Sequence, residues 1–388
     1  MAIDFCDFHV HTLPKSALVY GNVLVPSHTA DLCSLGFRII GTDQAFSYFP
    51  EAGRIRVSEG DAADTVIELT LEQWQGLVAD LETAPALLYG NKLGAGSRGD
   101  MLQFLVWEPI LRSLYTGRPL YDENKLELLD YSGSPLDPGR EFCLDRDSEP
   151  DMKHYLDTSG YLLLKGVFSA QEVHAFQQVA DVLREAATVN DKASWWGVDA
   201  RGKDVVTRVL NGGSQSLLRG IAYDERMQQL HALMPEGLAM RDPGAVDAIT
   251  VVFKTPEMKE GLSDLPWHRD CGMGGHAAMC PVINVSIYLS DATEDAGELR
   301  FLPGSHRFSC PVPQGQAGIA AAACTGDVTL HYGDVMHQAP SPRSSIGPFR
   351  SSILLSFQPE FENHRGQRHY NDVLLEGGDG HVVTPQQR

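Results

Sequence analysis

The sequence predicts a mainly β fold with flanking helices: an all-β barrel or double-sheet jelly roll, preceded by an N-terminal α/β extension. Short apolar runs recur from about residue 151, at Gly160–Phe168, Val205–Leu210, Ala248–Lys254, Val282–Leu289, Gly297–Leu302, Val328–Leu330 and Ser351–Phe357. Gly and Pro turns separate them and few helical patterns intervene, which suits a sandwich or barrel better than parallel βαβ units. The helical patterns lie mostly before or at the start of this region. A length of 388 residues suits two domains, or one large domain with an extension.

In order, Asp7-Phe8-His9-Val10-His11 comes first. An Asp-x-His-x-His near an N-terminus resembles the first metal-binding strand of barrel-shaped metallohydrolases. Such barrels need roughly 200 residues, and between His11 and His154 the chain holds only His28. A structural role for His9 and His11 is the preferred expectation. Thr70 and Gln73 form a capping box, and Leu71, Trp74, Leu77, Val78 and Leu81 follow at helical spacing, so a helix is predicted between Thr70 and Thr83. A second helix starts after Asp100 and carries Leu102, Leu105, Val106, Ile110 and Leu114. Pro109 should kink or break it, and Gly117 and Pro119 should end it. Ser132–Pro150, rich in Pro and Asp, reads as a linker. The expected units are therefore residues 1–150 as an extension, 151–362 as the jelly-roll domain and 363–388 as a tail. Ser169 and Glu172 form another capping box, opening a helix with Val173, Phe176, Val179, Val182 and Leu183 on one face. Trp195 and Trp196 lie in a polar stretch, Asp191–Lys203, that reads either as a lid over a binding site or as packed aromatics.

Composition excludes some functions. A net charge of −20 argues against general affinity for nucleic acid or anionic membrane. The seven Cys include no CxxC pair, which disfavours a disulfide framework or structural zinc and fits free thiols, Cys271 beside the His-x-Asp included. No apolar run reaches 18 residues, and the N-terminus, with Asp4 and Asp7, lacks a basic leader region. A cytoplasmic protein is expected by default.

The chemistry centres on Pro266-Trp267-His268-Arg269-Asp270. On a strand, residues i and i+2 point the same way, so His268 and Asp270 would converge. A second His from later in the chain would complete a two-His, one-carboxylate set, which suits non-haem Fe(II) because three positions stay open. Short His-x-Asp triples also arise by chance, so the case rests on the segments around them.

Five segments in order carry a resemblance. They are Gly160-Tyr161-Leu162 through Val167-Phe168-Ser169 and Glu172-Val173; Phe253-Lys254-Thr255-Pro256; Trp267-His268-Arg269-Asp270; Asp291 through Gly297-Glu298-Leu299-Arg300-Phe301-Leu302-Pro303-Gly304-Ser305-His306; and Gly326-Asp327-Val328 with His337 and Arg350. Over residues 150–360 the chain resembles the phytanoyl-CoA dioxygenase family of Fe(II)/2-oxoglutarate oxygenases. Residues 1–150 match nothing recognised. Two departures touch the cosubstrate pocket: Ala296 stands where Asn is usual before the Gly, and Pro266 where Gln often precedes the first His.

The resemblance implies a double-stranded β-helix (jelly-roll, cupin-like) core, with Fe(II), 2-oxoglutarate and O2 as cofactor and cosubstrates. It implies His268, Asp270 and His337 as metal ligands, with His331 the alternative to His337. It also implies Arg350 as the clamp for the distal carboxylate of 2-oxoglutarate, where Arg343 competes from a loop. A guanidinium fork suits that task. Ser352, two residues on, would face the same way, and Thr293 is carried by resemblance alone. Relatives that halogenate lack the carboxylate, so Asp270 favours hydroxylation or another C–H oxidation, with 2-oxoglutarate converted to succinate and CO2. Arg300, His306 and Arg307 beside the Pro-Gly-Ser-His turn are expected to be structural first. A non-redox isomerase or a ligand-binding pseudoenzyme on the same barrel is the alternative, and a metallohydrolase using His9 and His11 a distant third. A small organic molecule is the expected partner, a free one ahead of a CoA ester, since no polybasic groove is evident. The extension should pack on the barrel, shape the substrate entrance or form a homodimer interface.

Overall fold

A computed structural model describes residues 3–19, 24, 26–89, 92–261, 264–270, 282–313, 315–359 and 378–382. Cys271, Cys280 and most of the segment 363–388 lie outside them.

In the N-terminal part, β1 (Leu35–Ile39), β2 (Ala45–Glu51), β3 (Arg54–Glu59) and β4 (Thr65–Leu69) form a sheet in the order β3-β2-β1-β4. β1 and β4 run parallel and the other neighbours antiparallel. Helix Leu71–Val78 starts with the expected capping box between Thr70 and Gln73. It stops before Thr83 because Asp80 turns the chain with a φ of 57°. Helix Leu102–Thr116 runs through Pro109 and ends at Gly117, whose φ of 77° needs no Cβ. The break expected at Pro109 does not occur. An interior Pro costs about 3 kcal/mol, but Phe104, Trp107, Ile110 and Leu111 of this helix are buried against β1, β2 and Trp74, and that burial outweighs it.

His9 and His11 lie in a helical segment spanning Phe5–Val19, not on a strand. The His9 ring is buried, with Nδ1 bonded to the Phe5 carbonyl (2.7 Å) and Nε2 to the Tyr48 hydroxyl (2.7 Å). Burial pushes its pKa down to about 4. Both nitrogens are engaged, so His9 is a packing residue.

The remaining strands are β5 (Glu141–Phe142), β6 (Tyr161–Leu164), β7 (Ser194–Asp199), β8 (Asp204–Val209), β9 (Leu238–Met240), β10 (Ile249–Phe253), β11 (Met258–Glu260), β12 (Leu265–His268), β13 (Ile283–Tyr288), β14 (Leu299–Phe301), β15 (Ile319–Ala321), β16 (Val328–Tyr332), β17 (His337–Ala339) and β18 (Ser351–Pro359). Ten of them form one sheet, β11-β7-β8-β10-β18-β13-β16-β6-β5, with β9 also paired to β18. The other four form a second sheet, β12-β17-β14-β15. The result is the double-sheet jelly-roll arrangement with helices outside, its two sheets not closed into a barrel.

Alternation divides the large sheet into two faces. Ile283, Val285, Ile287, Val328, Leu330, Ile353, Leu355 and Phe357 join one core with Phe176 and Leu183 of helix Ala170–Ala186. Most intervening residues are polar: Asn284, Ser286, Thr329, His331, Ser352 and Ser356, with Leu354 among them. That second face turns toward the smaller sheet.

Two expectations change. The stretch read as a linker is partly structural: Leu136 and Phe142 belong to the jelly-roll core, and β5 pairs parallel with β6. Its polar composition reflects exposed turns between a few buried anchors. Trp195 and Trp196 are not a lid but part of β7, with Trp195 buried under the guanidinium of Arg208, 4.4 Å from its ring centroid. No described helix is long and apolar enough to cross a membrane.

The two faces should respond differently to truncation. Ile287→Ala is expected to cost about 2–5 kcal/mol, read from urea unfolding. Ser286→Ala, whose buried hydroxyl has no partner among the described residues, should stay within about 0.5 kcal/mol of wild type or stabilise slightly.

Candidate metal centre

β12 and β17 pair antiparallel in the small sheet, and the register sets His268 opposite His337. Their ring centroids lie 4.2 Å apart. β12 ends at His268, so Asp270 is not on the strand as the i, i+2 argument supposed. It lies in the bend beyond, held by its own N–H donating to the Gly333 carbonyl (2.7 Å). Gly333 belongs to the turn between β16 and β17, so the turn that delivers His337 also anchors Asp270. One ligand atom from each of His268, Asp270 and His337 lies within 4.8 Å of the others. The Asp270 carboxylate is 3.4 Å from His268 Nε2 and 3.6 Å from His337 Nε2.

The imidazoles are oriented by local bonds. His268 Nδ1 lies 2.7 Å from the Pro266 carbonyl and His337 Nδ1 2.9 Å from the Val335 carbonyl. A carbonyl can only accept, so each Nδ1 carries the proton and each Nε2 offers a lone pair toward Asp270. The charge states suit a cation. Burial and the neighbouring His268 push His337 down to about 3, which leaves it neutral. Desolvation would raise the Asp270 carboxyl, but His337, His268 and His331 outweigh it and hold the group well below the usual carboxylate range. Neutral imidazole and ionised carboxylate are the ligand forms a metal needs.

Sequence reasoning missed the support behind Asp270. Asn284 Nδ2 donates to Asp270 Oδ2 (2.7 Å), and Ser356 Oγ donates to Asn284 Oδ1 (2.6 Å). Both sit on the polar face of the large sheet, and their places in the alternating runs of β13 and β18 were the only signal. His331 lies on the same face, with Nε2 3.6 Å from Asp270 Oδ2. Its buried Nδ1 has no partner among the described residues.

Arg350 is buried at the start of β18. Its Nε donates to the Gly297 carbonyl (2.8 Å), and its Nη atoms make no hydrogen bond to a described residue. Ser352 is fully buried, and its hydroxyl has no partner among the described residues. A buried cation and a hydroxyl donor two residues apart suit an anion. Lys254 stands nearby, its Nζ bonded to Asp264 (2.9 Å) and the Ala339 carbonyl (2.6 Å). Burial and Arg350 push it down to about 7, against Asp264. Arg343 is exposed and paired with Glu294 on the surface. Thr293 caps the turn Glu294–Ala296, accepting from the Ala296 N–H (3.3 Å), and so acts on the loop that carries Gly297.

The Pro303-Gly304-Ser305-His306 turn is a brace. Ser305 Oγ accepts from the Met336 N–H (2.8 Å), directly before His337. His306 Nε2 lies 3.0 Å from the Asp157 carbonyl and its ring stacks on Tyr332. Arg300 pairs with Glu298 (2.5 Å).

Parts of the chain are similar to known proteins. Dioxygenase cdmA of Talaromyces verruculosus is 32% identical over 108 residues, which are 27% of this chain and 34% of that protein; the match spans about a third of that relative's length. Among solved structures, EctD from S. alaskensis with bound Fe gives a TM-score of 0.43 at 22% identity, over 57% of this chain and 82% of that one. HygX from Streptomyces hygroscopicus, with nickel, 2-oxoglutarate and hygromycin B bound, gives 0.41 at 18% identity, over 54% and 87%. The epimerase SnoN from nogalamycin biosynthesis, described as non-heme and alpha ketoglutarate dependent, gives 0.45 at 18% identity, over 62% and 96%. The family model for phytanoyl-CoA dioxygenase matches residues 156–351, just over half of the 388. That span runs from the end of the helix before β6 through His268, Asp270 and His337 to the start of β18, and the chain belongs to the phytanoyl-CoA dioxygenase (PhyH) family.

Proposed function

We propose that the chain is an Fe(II)/2-oxoglutarate-dependent dioxygenase that oxidises a small organic molecule at a C–H bond, most simply by hydroxylation. The observation that carries this reading is the convergence of His268, Asp270 and His337 in ligand form, with the anion cradle of Arg350 and Ser352 on the adjoining sheet. The donor set of two imidazoles and one carboxylate fits Fe(II) and leaves coordination positions open.

Each residue then has a defined task. His268 and His337 would hold the metal through Nε2, kept in that tautomer by the carbonyls of Pro266 and Val335. Asp270 would supply the anionic ligand, with Asn284 fixing one carboxylate oxygen. Arg350 would bind the distal carboxylate of 2-oxoglutarate through its Nη atoms, and Ser352 would donate to the same group. When bound, Fe(II) and 2-oxoglutarate supply oxygen activation, the keto acid leaving as succinate and CO2. With Asp270 in the ligand set, no place is reserved for a halide, which favours hydroxylation over halogenation.

Anaerobic addition of Fe(II) and 2-oxoglutarate to the metal-free protein should give a visible charge-transfer band. Its absence from wild type would end this reading. His337→Ala should abolish the band, whereas His331→Ala should keep it; the reverse result would exchange their roles. Arg350→Ala should raise the 2-oxoglutarate concentration needed for half-maximal succinate release about 10- to 100-fold, since charge-assisted bonds contribute about 1.5–3 kcal/mol. Asn284→Ala should weaken metal affinity about 10- to 100-fold with the ligands intact.

A further inference from the structure

Arg269 stands between two of the proposed ligands, His268 and Asp270, and does not face the metal. It points out of the jelly roll into the N-terminal extension. Nη2 donates to Glu108 (2.9 Å), in the middle of helix Leu102–Thr116, and Nη1 donates to Asp334 (3.0 Å). Asp334 lies in the turn that ends at His337 and follows Gly333, the acceptor for the Asp270 N–H. The extension reaches the same carboxylate twice more. Arg112 lies 3.5 Å from Asp334 while holding Asp80 through two bonds of 2.9 and 3.1 Å, and Arg118 donates to Asp334 (2.9 Å) and to the His306 carbonyl (2.7 Å). The side chains of Arg112, Arg269 and Asp334 are only 4–6% exposed.

The cluster therefore contains three guanidiniums and three carboxylates, contributed by both parts of the chain. Ser309 fastens the same seam, its Oγ donating to the Pro109 carbonyl (2.6 Å) and its N–H to the Pro119 carbonyl (2.9 Å). A buried charge left without its partner is costly enough to move the backbone that carries it. For Arg269 that backbone is the segment joining the ligands, and for Asp334 it is the turn before the third.

We propose that the extension is part of the metal site's scaffold: Glu108 is a positioning residue that, through Arg269, holds His268 and Asp270 in ligating geometry. The inference rests on the reading of the His268/Asp270/His337 set as a metal centre. It makes metal affinity depend on a helix whose residues do not themselves ligate. By linkage, metal binding must stabilise the seam to the same extent.

The test titrates Co(II), as a stand-in for Fe(II), into four metal-free full-length proteins: wild type, Glu108→Ala, Glu108→Gln and Tyr48→Phe. Each is also melted with and without Co(II). Tyr48→Phe removes a hydroxyl that bonds His9 (2.7 Å) and Tyr115 (2.9 Å) in the extension's own core, away from the ion cluster. Glu108→Ala should weaken Co(II) binding about 10- to 100-fold, the range seen when support behind a ligand is lost, and should shrink the rise in melting temperature on loading. Glu108→Gln, which keeps an acceptor for Nη2, should recover part of both. Tyr48→Phe should melt earlier yet bind Co(II) as wild type does. Wild-type affinity in a folded Glu108→Ala protein would overturn the inference, as would equal weakening in Tyr48→Phe. If Glu108→Ala does not fold, wild-type affinity in Glu108→Gln would overturn it. Failure of the wild type to bind Co(II) is a distinct result, which removes the metal-centre reading itself and this inference with it.

Discussion

The site depends on one backbone pairing, the antiparallel register of β12 with β17 that sets His268 across from His337. Two imidazoles on adjacent strands at a directly opposed pair come within reach of one ion, here after a register shift in β12 between Leu265 and His268. The third group needs a different device because β12 has already ended. Asp270 is brought back by its N–H to Gly333, in the turn that begins the approach to His337. The geometry of all three proposed ligand residues therefore follows from β12, β17 and the turn before β17. Whatever shifts that turn shifts the site.

The large sheet supplies the opposite wall, and its alternation explains how one sheet serves both stability and chemistry. Every second residue of β13, β16 and β18 joins the apolar core beneath helix Ala170–Ala186. The residues between them carry hydroxyls, an amide and an imidazole. Burying such groups without partners is unfavourable, and Ser286, Ser352 and the Nδ1 of His331 have no partner among the described residues. Arg350 adds a buried cation directly before the strand that carries Ser352. Buried donors of this kind beside a cation are costly for a core and suited to a polar anion, which is what supports the proposed cradle.

Much of this was readable in residue order because local rules and tertiary structure agree there. The capping boxes at Thr70/Gln73 and Ser169/Glu172 both form, and the apolar runs became strands with ends within two residues, except that β6 stops four residues before Phe168. The failures fall where a distant contact overrides a local rule. Pro109 should have broken its helix, but the aromatic core around Trp107 holds it. His9 and His11 imitate a metal strand in spacing, but the residues form a helix and Tyr48 takes up the second ring nitrogen of His9. Trp195 and Trp196 lie among polar residues because the turns on either side of β7 are exposed while the strand itself is packed. The chain 132–150 looked like a linker because only Leu136, Phe142 and their neighbours are anchored. Asn284 carried no signal stronger than its place in an alternating strand.

The seam between the two parts was illegible for a further reason: its residues are charged, and charge in a sequence reads as surface. Glu108 and Arg112 lie on a helix otherwise packed with Trp107, Ile110 and Leu111, and Arg269 and Asp334 across the seam, with Asp80 beside Arg112, account for them. Burial pushes the carboxyls of Asp80, Glu108 and Asp334 up, Asp80 to about 7, while the guanidiniums around them pull the other way. Buried ion clusters contribute little net stability, and apolar residues of the same volume often do as well. What apolar contacts do not supply is direction. A guanidinium accepts carboxylates only in the plane of its fork, so Glu108 and Asp334 together fix the orientation of Arg269. With its side chain fixed, its backbone, and so the spacing of His268 and Asp270, has little freedom left. A purely stabilising seam could lie anywhere between the two parts; this one converges on the residue between two of the proposed ligands and on the turn that leads to the third.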